Sequence, residues 1–255
     1  MAQDDPLGNP EERSQRFQRF RRLFNAVGSL SDRINEVIDT ESLTWRHNPD
    51  EPALLLLVVS AAFGKALKTF QAIERLCVLG YGEDALIILR SNVNLLINTA
   101  NILSAPDPHD RVRDFLAYAL HERRRFLKGT YNIALPWTPP FSDEEIESRA
   151  KQWGTIADRA KSTTPFHYFE GYKLYSSFEH SDAFALDNYF TDWNERGPMI
   201  HSAESDTNVG LAIGHSYGVM ADIFTMVLRF FRIDRPDIER ELRETWPTLK
   251  PDPEA

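Results

Sequence analysis

The chain has 255 residues, a mass of 29.3 kDa, 42% hydrophobic and 26% charged residues, and a formal net charge of −9. This balance excludes collagenous and wholly disordered classes, and the acidic surplus argues against a protein that coats nucleic acid. A single cysteine, Cys77, excludes an internal disulfide framework and any cysteine-rich zinc site, which points to a reducing compartment.

Residues 1–9 read as a polar, disordered tail without the features of a signal peptide. Asn9 and Pro10 then form an N-cap and first helical position, with Glu11 and Glu12 in the first turn. Phe17, Phe20, Phe24, Val27, Ile34, Val37 and Ile38 recur at helical spacing, so one long amphipathic helix is expected over 10–39. Its arginines, Arg13, Arg16, Arg19, Arg21 and Arg22, read as a solvated basic face that could also meet an acidic partner or RNA.

Pro52 opens a second helix that ends at Gly80. Its ALLLLVVSAAF run, residues 53–63, falls short of the ~20 apolar residues of a membrane span, so it reads as core. A third helix follows Gly82 and stops near Ser104, and a fourth covers 108–132. Ser142 and Glu145 form a capping box that starts a fifth helix running to Lys161. A sixth helix, 166–180, is rich in aromatics, and 181–207 loses helical periodicity and reads as an irregular segment or a short hairpin. A seventh helix spans 208–232, and a short eighth runs from Pro236 to Pro247. Gly210, Gly214 and Gly218 share a face of the seventh helix and predict a closely packed partner backbone. Residues 247–255 read as a second disordered tail. The fold expected is one all-α domain over 10–246, a bundle of seven or eight helices whose core is formed by helices two, three, six and seven.

The third helix carries the clearest chemical pattern. At 100° per residue, Glu83, Asn94, Asn98 and Asn101 fall within about 80° of Arg90, on one polar strip of an otherwise apolar helix. Such a strip faces either a wet cleft or a polar interhelical network, because an unsatisfied buried polar group costs about 1–3 kcal/mol. Ser176 and Ser177 share a face with His180 at the end of the sixth helix, and Tyr172 lies two turns back. These groups could move a proton, bind an anion, or simply cap the helix. Arg196 and His201 have the spacing of a metal-independent RNase centre but lie in the irregular segment, so their spacing reads as chance. No His-x3-His, Glu-x-x-His or P-loop pattern occurs, so neither a metal nor another cofactor is expected.

The strings ILRSNVN, DFLAYAL, YKLYSSFEHSDA and RGPMI resemble the domain-of-unknown-function family 5677, a group of uncharacterised prokaryotic helical proteins. The resemblance covers about residues 55–230. Arg90 and Ser91 match its Arg-Ser pair, and Tyr172, Tyr175, Ser177 and His180 match its later Tyr/Ser/His stretch. Asn94 stands where the family pattern has Glu, a departure that bears on any activity needing a carboxylate there. The resemblance implies a helical fold and a site built around Arg90 and His180.

Together these readings give a cytoplasmic helical protein whose polar cleft binds a small anionic ligand or nucleotide. Arg90, Asn94, Asn98, Ser91, Ser177, Tyr172 and His180 are its candidate residues. One alternative is an RNase-like toxin or defence effector using His180 as base and Arg90 to stabilise a pentavalent phosphate. The other is a non-catalytic helical protein that binds a protein partner or a second copy of itself. No membrane association is expected.

Overall fold

A computed structural model describes residues 9–41, 53–127, 141–163, 172, 175–176, 190–194, 197–200, 205–245 and 249. The class is all-α, as the periodicity requires. The helices among the described residues are α1 (Pro10–Arg19), α2 (Arg21–Glu41), α3 (Ala53–Leu79), α4 (Gly82–Leu103), α5 (Pro108–Leu127), α6 (Asp143–Trp153), α7 (Ile156–Thr163), α8 (Val209–Phe230) and α9 (Pro236–Thr245). Strand β1 (Phe190–Asn194) pairs antiparallel with β2 (Gly197–Ile200), Asn194 opposite Gly197, within the stretch where helical periodicity fails.

Nine described helices exceed the seven or eight expected, because two expected helices are each broken in two. The first breaks at Phe20, where φ is −104° and ψ is 20°. α1 is pinned by Arg16, whose Nε donates to Asp206 at 2.7 Å and whose Nη1 donates to the Val78 carbonyl at 3.0 Å. α2 instead packs along α8. Arg16 is 5% exposed, so it is not part of a solvated basic face.

The second break is at Gly154, at φ +71°, a left-handed conformation that a residue with a Cβ rarely adopts. Thr155 restarts the chain as α7. Its hydroxyl accepts from the Asp158 amide, and Asp158 in turn accepts from the Thr155 amide. The Ser142 capping box that starts α6 is present as read.

The core is built from α2, α3, α4 and α8, with Ile34, Val37, Phe70, Ile73, Leu86, Leu89 and Phe224 at 0% exposure. α2 thus joins the core helices that the sequence singled out. Most of the expected sixth helix, 166–180, lies outside the described residues, as do the terminal tails apart from Asn9 and Leu249. Asn9 caps α1 through its side chain, and Leu249, expected in the C-terminal tail, is buried in the core at 7% exposure.

The small-residue face of α8 meets side chains at Gly210, and at Gly214 both a side chain and the Leu249 backbone carbonyl oxygen, 3.8 Å from a built Cβ. A Cβ on Gly210 would lie 3.2 Å from the Phe20 ring, and one on Gly214 would lie 3.8 Å from Leu23. The close backbone approach is at Gly82 instead, where a Cβ would lie 2.3 Å from the Thr207 carbonyl oxygen.

By length and composition, α3 over Leu54–Leu79, α4 and α8 are apolar enough to cross a membrane, with mean hydropathies of 1.4, 1.3 and 1.4. The eleven-residue run read from the sequence is one part of the first of these.

Candidate functional site

The polar strip of α4 faces other helices. Arg90 Nη2 donates to the Tyr172 hydroxyl at 2.7 Å, and the guanidinium carbon lies 4.8 Å from the centre of that ring. Two turns on, Asn98 Oδ1 accepts from Arg159 Nε of α7 at 3.1 Å. At the end of the strip, Asn101 Oδ1 accepts from Arg111 Nε of α5 at 2.8 Å. Ser91 and Asn94 are half-buried on the same helix. Asn98 and Asn101 of the strip thus meet arginines of α7 and α5. Glu83 belongs elsewhere, since it accepts from Asn208 Nδ2 at 3.2 Å beside the start of α8.

Arg111 and Arg159 converge on Trp153, the last residue of α6. Their guanidinium carbons lie 4.7 and 4.6 Å from its ring, and a cation over an aromatic face is worth about 0.5–2 kcal/mol. They also take the carbonyls that end α6. Arg111 donates to Gln152 at 2.9 Å, and Arg159 donates to Gly154 at 2.6 Å. Unpaired carbonyls at a helix C-terminus carry partial negative charge, so two cations there are favourably placed.

The two arginines differ in their counter-charges. Arg111 has Asp114 at 3.3 Å, and Asp114 also accepts from Arg149 at 2.9 Å. Arg159 is 6% exposed and pairs with no carboxylate among the described residues. Its acceptors are Asn98 and the carbonyls of Trp153 and Gly154. Burial pulls its pKa down to about 10, and the nearby charge of Arg111 adds to that fall. Tyr118 and Tyr172 lie within its electrostatic reach, so Tyr172 neighbours both Arg90 and Arg159. The Trp153 Nε1 donor is buried and has no acceptor among the described residues. The layer between α4, α5 and α7 is thus rich in donors.

A second polar contact was not read from the sequence. The hydroxyl of Tyr175, 1% exposed, is hydrogen-bonded to His215 Nδ1 on α8, and burial raises the phenol pKa. Tyr172 and Tyr175 occupy one short stretch, so that stretch reaches both α4 and α8. Its signal lies in the sequence as the only histidine of an apolar helix, but a single polar residue does not reveal which distant hydroxyl it meets. Asn92, 0% exposed, is likewise a buried bridge, donating to the Ala66 carbonyl of α3 at 3.0 Å.

His180 and Ser177, and also Arg196 and His201, lie outside the described residues. Among the described residues there is no group of three or more His, Cys, Asp or Glu side chains that could hold a metal ion.

No curated protein and no solved structure matches the chain. Residues 56–198, more than half of its length, match a family of unknown function, DUF5677. The match takes in Arg90, Ser91, Asn94, Asn98, Arg111, Trp153, Arg159 and Tyr172, and ends before His215. The chain therefore belongs to the DUF5677 family.

Proposed function

We propose that the protein binds a small anionic ligand carrying a phosphate, such as a nucleotide, at the polar layer of α4. Arg90 and Tyr172 contact the anion, and Ser91, Asn94 and Asn98 supply neutral hydrogen-bond partners. The observation that carries this reading is Arg159, a cation 6% exposed whose hydrogen-bond acceptors among the described residues are all neutral, neighbouring the Tyr172 that binds Arg90. A charge buried with few carboxylates near it is costly, and a bound anion nearby lowers that cost. Arg159 itself positions the layer, because it holds the end of α6. As part of this reading the protein acts in the cytoplasm. Phe17 and Leu57 are the only large hydrophobic side chains exposed among the described residues.

Thermal unfolding in the presence of inorganic phosphate or AMP tests this. A ligand specific to the native state raises the melting temperature by about 2–4 °C per kcal/mol of binding free energy. The shift should appear with the wild type and vanish in Arg90→Gln, each read against the unliganded melting temperature of the same protein. No shift with either ligand, or an undiminished shift in Arg90→Gln, would overturn the reading.

A further inference from the structure

A cavity of about 520 Å³ opens at the far end of α4. Leu103, in its wall, lies thirteen residues from Arg90, about 20 Å along the helix, so the cavity borders the Asn101 end of the polar layer and lies far from Arg90. Its walls are apolar, with Leu55 of α3, Leu103 of α4, and Met226 and Phe230 of α8. Its polar edge carries Ser104, His109 and Arg229. A pocket of this size with apolar walls and few polar groups fits a small amphipathic molecule.

The charge at the edge sets the sign of the ligand. Arg229 is 68% exposed and reaches Glu239 through Nε at 3.2 Å and Nη2 at 3.4 Å. Both distances exceed the ~2.7–2.9 Å of a strong charge-assisted bond. Its Nη1 takes part in no hydrogen bond among the described residues. Of the other acidic groups near this end, Asp107 is committed to the start of α5, where it accepts from the His109 and Asp110 amides at 3.0 Å each, and Asp110 pairs with Arg149.

We infer that this cavity binds a medium-chain carboxylate, its alkyl tail among Leu55, Leu103, Met226 and Phe230 and its carboxylate on Arg229. The tail supplies affinity, and the arginine separates the carboxylate from a neutral compound of the same length.

Calorimetric titration of the full chain with hexanoate, octanoate, decanoate and decanol, below micelle-forming concentrations, tests this. Affinity should rise by up to about fourfold for each added methylene. Decanoate should bind about three- to fivefold tighter than decanol, and Arg229→Gln should remove that difference while leaving decanol binding unchanged. Ser104→Trp puts a ring at the exposed edge without altering the core, and should abolish binding while the far-ultraviolet circular dichroism stays native. Absence of binding, or binding that Ser104→Trp does not touch, would refute the cavity as the site. Equal affinity for decanol and decanoate in the wild type would refute the role of Arg229. Because Arg90→Gln leaves this cavity intact, the result is independent of the phosphate reading.

Discussion

Arg16 and Asp206 are 190 residues apart in sequence and 2.7 Å apart in space, and this ion pair fastens α1 to the segment that leads into α8. Arg16 is 5% exposed and Asp206 is 31% exposed, so the pair is only partly in contact with water. Removing the arginine leaves Asp206 with Arg19, which is 67% exposed, and orphans the Val78 carbonyl. Arg16→Ala should therefore lower stability by about 2 kcal/mol, measured by urea denaturation. A loss under about 0.5 kcal/mol would mean that α1 is not held by this contact.

Two glycines should respond in opposite directions to the same change. A Cβ at Gly82 would overlap the Thr207 carbonyl oxygen at 2.3 Å and the Val209 amide at 2.5 Å, both backbone atoms that cannot move aside. Gly82→Ala should cost at least about 1–3 kcal/mol. Gly28, inside α2, has nothing within 4 Å of a built Cβ, so Gly28→Ala should stabilise by about 0.5–1 kcal/mol. Paired chemical denaturation curves give both signs in one experiment.

Acid sensitivity has a local source at the start of α9. Hydrogen bonding to Arg235 holds the Asp237 carboxyl down at about 2, and bonds to Arg33 and Arg235 hold Glu36 below its usual range. A carboxyl with a depressed native pKa contributes stability above its unfolded pKa of ~4, and that contribution disappears as pH falls towards its native pKa. Between about pH 4 and pH 2, Asp237→Asn should flatten the fall in stability relative to the wild type. Because Asp237 is exposed, raising the salt concentration should shrink the difference.

Cys77 should be chemically silent in the native state. It is 0% exposed, and burial pushes its thiol pKa up to about 12, with Glu74 and Glu83 adding to the rise. Labelling by a disulfide reagent at neutral pH should proceed only as fast as the chain unfolds, with the rate rising in urea. Rapid labelling of the folded protein would contradict this placement.

The elements that were legible in the sequence are those with long periodic stripes and standard caps. α3, α4, α8 and α9 begin and end within a few residues of the expected positions, and the Asn9 and Ser142 caps are in place. The two breaks were missed for different reasons. Phe20 continues the apolar stripe, so nothing local marks the bend. Gly154-Thr155 with Asp158 did carry a visible stop-and-restart signal, but the helical residues on either side masked it. The polar strip was found because Arg90, Asn98 and Asn101 repeat at helical spacing. Its partners Arg111 and Arg159 were not, since each sits on a helix with other charged residues and only tertiary packing selects the buried ones.

The elbow between α6 and α7 has a consequence for native-state fluctuations. Its carbonyls are held by Arg111, from forty-one residues before Gln152, and by Arg159, from five residues after Gly154. Opening the elbow therefore requires both guanidiniums to leave the Trp153 ring, which also frees Asn98 and Asn101 of α4. This elbow is thus coupled to the separation of α5 and α7 from α4, so it should open at the slow rate of that larger cooperative unit rather than at the rate of a surface turn.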